Sequence, residues 1–232
     1  MESLGRKLHG QAAHAREDGD HLKALQILDE AMLAYQKDED ILGLAEVIAD
    51  RSIVLRHLYG ETGDKNFLLE AKGEMEASVE IAKASGNKEA LALPLFNLAK
   101  VQEDLGELQA AIQTYTEAAQ NMESNPPTNH NRPAVLADMK VHLSTCEYRA
   151  GDKDALMRAE QALSEIEASD EVKYNKDVWM SGAHMRIADM LREDNPEKAK
   201  EHLQNAKDTI DANPDLKLRK TQWEKLSMSF RT

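Results

Sequence analysis

Residues 106–118 read GELQAAIQTYTEA, and this stretch decides the fold. It begins with a Gly-acidic turn, Gly106-Glu107, and continues through Ala111, Tyr115 and Ala118. Those three residues are spaced i, i+4 and i+7, so they share one face of a helix on which small and large side chains alternate. Glycine can end a helix in the left-handed conformation at little steric cost, and an acidic residue can cap the next helix. The stretch therefore predicts a tight helical hairpin.

The same pattern occurs five times along the 232 residues. Its opening alanine follows the turn at five residues in the first, third and fifth units and at eight residues in the second and fourth. The three extra residues predict a lengthened or irregular start to the second helix of the longer units. A single hairpin cannot bury its own apolar face, so repeats of this length predict hairpins stacked on their neighbours. The turns are Gly19-Asp20, Gly63-Asp64, Gly106-Glu107, Gly151-Asp152 and Asp194-Asn195, and the signatures are Ala24/Leu28/Ala31, Ala71/Met75/Ser78, Ala111/Tyr115/Ala118, Ala159/Leu163/Ile166 and Ala199/Leu203/Ala206.

Helical periodicity and the placement of Gly, Asn and Pro predict one continuous domain over residues 1–232. A polar loop with two prolines, residues 125–131, interrupts it between the third and fourth units. Asn213-Pro214 starts a last helix that has no hairpin partner, so we expect it to cap the array. This cap carries the basic residues Lys217, Arg219, Lys220, Lys225 and Arg231. The predicted units are 4–36, 40–85, 88–122, 133–168 and 176–211, followed by the cap helix at 214–230.

Composition excludes several classes of function. The chain has 29 basic and 42 acidic residues, and a net charge of -13 argues against binding nucleic acid. It has no run of 18 apolar residues and no apolar signal core at its start, so we expect a cytoplasmic protein that does not enter a membrane. The one cysteine, Cys146, is expected to be a small packed residue. No phosphate-binding loop, nucleophile elbow or HExxH motif occurs, which predicts a protein that is not an enzyme and has no cofactor.

The first and third units resemble tetratricopeptide repeats (TPR). Both place a small residue, Ala12 or Ala99, midway through the first helix, ahead of the Gly-acidic turn and the signature. The other units depart from this pattern with Arg56, Ser144 and Ile187, and the spacing of 40 to 48 residues between signatures resembles the long-helix variant seen in kinesin light chain-like repeats. The resemblance implies an all-α fold: a right-handed superhelical solenoid of five TPR-like hairpins plus a C-terminal capping helix, about 11 helices in all.

The resemblance also implies binding of a peptide or protein segment in a concave groove lined by the first helix of each hairpin. Asp50 and Asp138 would repel a terminal carboxylate there, so we expect a ligand of basic or mixed charge rather than an acidic one. The four histidines of the predicted groove belong to different units, which are too far apart to share a metal ion. The predicted contact residues are Arg6, His9, Asp50, His57, Asn97, Asp138, His142, Arg149 and His184.

Two alternatives to a binding adaptor stay open at this point. The basic cap helix and an acidic face favour a structural scaffold that assembles with copies of itself, which predicts a homo-oligomer sensitive to salt. A regulatory protein that senses a small peptide differs from the adaptor only in the size of its ligand.

Overall fold

The computed structural model describes residues 3–127 and 132–230, and every regular element in these residues is helical. The all-α prediction is therefore confirmed, with eleven α-helices in the described residues. A short 3-10 turn, Lys88–Ala90, precedes the fifth helix. The helices are α1 (Leu4–Glu17), α2 (His21–Lys37), α3 (Ile41–Thr62), α4 (Asn66–Ala84), α5 (Ala92–Asp104), α6 (Leu108–Ser124), α7 (Pro133–Arg149), α8 (Ala155–Ala168), α9 (Lys173–Leu191), α10 (Pro196–Asp211) and α11 (Lys217–Met228).

Consecutive helices pack in pairs: α1 on α2, α3 on α4, α5 on α6, α7 on α8 and α9 on α10. The alanines that open the five signatures are all completely buried between the helices of their hairpins: Ala24, Ala71, Ala111, Ala159 and Ala199. A methyl side chain at this position lets two helices approach closely, and the large residue one turn later fills the adjacent space. The repeated small-large pattern thus marks the helix contact in each hairpin.

The turns follow the predicted chemistry. Gly19 and Gly106 both adopt φ 81°, the left-handed conformation that glycine tolerates. The Asp20 side chain caps α2 by accepting a hydrogen bond from the backbone N–H of Lys23. In the fifth hairpin, Asn195 caps α10 in the same way and Pro196 occupies the first helical turn.

Several helix ends differ from the sequence expectation. The apolar stripe predicts that α3 ends near Tyr59 and the fifth unit opens near Lys176, whereas α3 continues to Thr62 and α9 begins at Lys173. The eight-residue spacing of the second and fourth units has a local cause. After the glycine, residues 64–65 and 152–154 form an irregular turn before α4 and α8 begin. The turn side chains support it, since the Asp64 carboxylate accepts a hydrogen bond from the Asn66 N–H at 2.9 Å.

The chain divides into two compact units, an N-terminal unit of Met1–Asn129 and a C-terminal unit of His130–Thr232. The first contains the hairpins α1 to α6, and the second contains α7 to α10 together with α11. One continuous domain over the whole chain stays a prediction. Within the predicted loop, Thr128, Asn129, His130 and Asn131 lie outside the described residues.

Helix α11 packs on both α9 and α10, as expected of a cap on the last hairpin. Leu216 at its start is buried, and the Trp223 indole N–H donates a hydrogen bond to the Leu203 carbonyl of α10. The guanidinium of Arg219 lies against Gly182 of α9, where a Cβ would be 3.1 Å from it. Arg219 is therefore part of the packing, while Lys217, Lys220 and Lys225 are exposed. Arg231 lies outside the described residues.

Candidate interaction surface

The first helices of the N-terminal hairpins, α1, α3 and α5, lie side by side, and we call their shared exposed surface the A face. One buried aromatic ring sets the distance between α1 and α3. Tyr35 of α2 is completely buried, and its ring packs directly on Gly5 and Gly43. A Cβ would be only 2.7 Å from the ring at Gly5 and 2.4 Å at Gly43. Both helices can pack closely on the ring because each has a glycine, and so no side chain, at the point of contact.

Asp50 of α3 is the centre of a polar chain across α1 and α3. Its carboxylate is 3.0 Å from the Nε2 of His9 and 3.4 Å from a guanidinium nitrogen of Arg16. The other His9 nitrogen, Nδ1, is 3.3 Å from the Tyr35 hydroxyl. Since a carboxylate only accepts, His9 donates from Nε2, and in the neutral ring Nδ1 then accepts a hydrogen bond from the Tyr35 hydroxyl.

This arrangement fixes the charge of Asp50. Burial alone would raise the pKa of the Asp50 carboxyl, but the His9 hydrogen bond and the Arg16 charge outweigh it, so the pKa lies below its usual value. Asp50 is therefore ionised at neutral pH and already compensated by Arg16. A basic ligand that binds Asp50 must therefore compete with Arg16.

Further cross-helix pairs continue along the A face. Arg6 forms an ion pair with Glu46 of α3, and its guanidinium lies 5.8 Å above the centre of the Tyr35 ring. Arg56 of α3 donates to Asp104 of α5 at 2.6 Å. Asn97 is half-buried on α5. The A face therefore presents fixed charges of both signs.

His57 lies on α3 next to a histidine that the sequence analysis did not select. The rings of His57 and His21 meet edge to face, with their centroids 5.2 Å apart. His21 is buried at the start of α2, and its Nδ1 is 3.1 Å from Glu61, which follows His57 by one helical turn. The signal for His21 was its position three residues before Ala24, which places it on the packed side of α2.

The other predicted contact residues belong to the C-terminal unit. Asp138 and His142 are one turn apart on α7, 4.0 Å between carboxylate and ring nitrogen. Arg149, at the end of α7, pairs with Asp189 of α9 at 2.8 Å. His184 is buried against His202 of α10, with their Nδ1 atoms 2.9 Å apart.

The structure thus brings Arg6, His9 and Asp50 together around Tyr35, and it places His57 and Asn97 further along the same unit. His184 is buried, because α9 packs against several other helices. A helical period in the sequence marks only one buried face, whereas a helix with several neighbours has more than one. The signal for His202 was its position next to Leu203 in the fifth signature. The partner-binding roles of all nine residues stay predictions.

In residues 3–127 and 132–230, no group of three or more His, Cys, Asp or Glu side chains could hold a metal ion. None of the helices described there has the length and apolar character needed to cross a membrane.

Comparison with known proteins gives structural relatives alone. No family model matches the chain, and no curated protein matches it in sequence. Among solved structures, it resembles the nearly identical TPR-like repeats assigned to a Podosopora anserina kinesin light chain, with a TM-score of 0.59 and 15% identity over 92% of this chain and 99% of that one. A structure of those repeats with one glutamine replaced by methionine matches at the same TM-score and identity over 88% and 93%. BtubC (BKLC) from P. vanneervenii matches with a TM-score of 0.57 and 20% identity over 95% of this chain and 78% of that one.

These likenesses extend over nearly all of the chain, and the TPR resemblance is confirmed at the level of the fold. The protein has a TPR-type helical repeat fold. At 15% to 20% identity, these solved structures show the fold of the chain and give no information about its ligand. The right-handed superhelix stays a prediction.

Proposed function

We propose that the protein is a non-enzymatic interaction scaffold whose N-terminal unit binds a peptide or protein segment of basic or mixed charge on the A face. The observation that carries this proposal is the ordered polar chain of Tyr35, His9, Asp50 and Arg16. Its members belong to three helices and are held in place by a ring that is completely buried. Preorganised polar groups of this kind bind a ligand without ordering costs of their own.

The distribution of charge supports a basic or mixed ligand. Residues 1–129 contain 12 basic and 23 acidic residues, whereas residues 130–232 contain 17 and 19. The acidic excess of the chain therefore belongs almost entirely to the N-terminal unit. An acidic unit attracts a positively charged segment over long range, and the fixed charges of both signs on the A face then select for ligands of matching pattern.

A peptide display experiment tests this function. Random 12-residue peptides are selected on the immobilised full chain, and the winners are measured by fluorescence anisotropy as synthetic peptides. We expect peptides rich in Lys and Arg whose affinity falls as salt is raised. Selection of acidic peptides, or of none, would contradict the proposal.

A matched pair of variants locates the binding surface. Asn97→Arg introduces a long cationic side chain on α5, while Gln113→Arg makes the same kind of change on the exposed side of α6 in the same hairpin. We expect Asn97→Arg to weaken binding at least tenfold and Gln113→Arg to retain it within about twofold, with unchanged circular dichroism. Equal affinities of both variants would remove the A face from consideration.

A further inference from the structure

The C-terminal unit contains two buried histidines in direct contact. His184 of α9 and His202 of α10 place their Nδ1 atoms 2.9 Å apart, and their rings are tilted with centroids 5.2 Å apart. The two residues are 8% and 7% exposed, so this polar contact lies inside the hairpin. It joins the two helices at the level of Leu203 in the fifth signature.

The contact accommodates only one hydrogen between the two nitrogens. Glu160 of α8 lies 3.7 Å from the Nε2 of His202, and its carboxylate favours a hydrogen on that nitrogen. The Nδ1 of neutral His202 is then an acceptor, and His184 donates to it from its own Nδ1. A proton added to the Nδ1 of His202 would set two N–H groups against each other and break the bond.

The surroundings of the pair favour the neutral rings. Burial lowers the pKa of His184 to about 4, with His202 adding to the effect. Burial also lowers the pKa of His202, although Glu160 opposes it. The charged groups that act on His202 come from α8 and α10, and they are Glu160, Lys198 and Glu201.

Two cationic side chains, one on α9 and one on α11, are bound to other groups. Arg186 of α9 donates to the Thr145 hydroxyl of α7 at 2.9 Å. Arg219 of α11 donates to the Val178 carbonyl at 3.1 Å. The charge that could stabilise or oppose a protonated pair is therefore concentrated on α8 and α10.

Helix α11 depends on both helices that carry the histidines. Trp223 donates to the carbonyl of Leu203, the residue after His202, at 2.8 Å. Arg192 of α9 donates to the Ser229 hydroxyl just beyond the end of α11, also at 2.8 Å. A separation of α9 from α10 would pull these two attachments apart.

We propose that His184 and His202 form an acid-sensitive latch: as neutral rings they hold α9 against α10, and their protonation opens this hairpin and loosens α11. The opened state exposes both imidazoles to water, where a histidine binds its proton near pH 6.5. In the closed state the two imidazoles bind protons only at a lower pH than in the opened state. Stability of the closed hairpin is therefore complete above about pH 6.5 and is lost as the pH falls toward 4.

The expected effect is large because two groups act together. Each histidine that is protonated only in the opened state favours opening by up to about tenfold per pH unit. The pair together gives at most about 100-fold more opening at pH 5.5 than at pH 7.5, a limit reached when both rings stay neutral in the closed hairpin.

Hydrogen exchange measured by mass spectrometry on the full chain tests the latch. At pH 5.5, after correction for the intrinsic exchange rate, protection in α10 and α11 should fall by between about tenfold and 100-fold relative to pH 7.5. Helices α5 and α6 contain no histidine and serve as the internal reference. Unchanged protection of α10 and α11 across this range would overturn the proposal.

Asparagine variants separate the latch from general acid effects. In His184→Asn/His202→Asn, an uncharged amide takes the place of each Nδ1, and the acid response of α10 and α11 should disappear. If the double variant does not fold, His202→Asn alone leaves one titrating ring, and the response should be smaller than that of the unmodified chain, at most about tenfold. His14→Asn, at an exposed histidine of α1 in the other unit, should respond like the unmodified chain. A folded latch variant with the full response of the unmodified chain would refute the role of the pair.

Discussion

Replacing Gly43 by alanine tests the packing that organises the A face. Alanine is a better helix former than glycine by about 1 kcal/mol, so propensity alone predicts a more stable protein. The structure predicts the opposite, since the new Cβ would be 2.4 Å from two ring carbons of Tyr35. Carbon atoms normally approach no closer than about 3.5 Å. The ring cannot retreat freely, because it also packs on Gly5.

The magnitude follows from these opposing effects. Overpacking a filled core costs about 1–3 kcal/mol, and more where the backbone must move. We expect Gly43→Ala to lower the free energy of unfolding by about 1–3 kcal/mol despite the gain in propensity. The matched control is Gly73→Ala in α4, where a Cβ would have no atom within 4 Å. This control should gain about 0.5–1 kcal/mol.

Urea denaturation followed by circular dichroism measures both variants, with hydrogen exchange in α1 to α3 to locate the effect. A Tyr35→Leu background provides the coupling test, because removal of the ring should remove most of the Gly43→Ala penalty. Gly43→Ala as stable as Gly73→Ala would refute the proposed contact of Tyr35 with α3.

Three further predictions concern single polar contacts. Asp50→Asn should lower the free energy of unfolding by about 1–3 kcal/mol. Since the pKa of Asp50 lies below its usual 3.8, its carboxylate stabilises the fold above about pH 4 and loses this contribution below it. Denaturation curves from pH 2 to 7 should therefore show a weaker loss of stability in acid for the variant than for the unmodified chain. Trp223→Phe should remove the bond to the Leu203 carbonyl and cost about 1 kcal/mol, seen as faster hydrogen exchange in α11 while α5 is unchanged. Asn195→Ala should remove the cap of α10 and lower the unfolding midpoint by an amount equivalent to about 0.5–2 kcal/mol, whereas Asn195→Asp should retain most of it.

Much of the fold could be predicted because its signals are local. The signature alanines and the turn residues act within one hairpin, so their spacing located each pair of helices and the start of α2 and α10. The predictions were less accurate at helix ends, such as the continuation of α3 to Thr62 and the start of α9 at Lys173. These ends depend on irregular turns and packing rather than on periodicity.

The candidate surface was harder to predict because its contacts join distant parts of the chain. His9 and Asp50 could each be selected from their positions in a repeat, but their mutual contact, 41 residues apart, could not. Tyr35 follows its signature by one turn, and the helical period that marks this position says nothing of its hydroxyl, which contacts His9. His184 was expected at an open surface, and the structure places it against His202.

An all-helical repeat of five hairpins with a final unpaired helix could be predicted from the residues alone, because helical period, glycine turns and caps are properties of a few neighbouring residues. The pairing of charges and the burial of histidines arise when the chain folds. Those properties depend on residues that the fold brings together across helices. The ring of Tyr35 packs on two glycines and so sets the spacing of the A face, and one hydrogen bond between His184 and His202 joins α9 to α10.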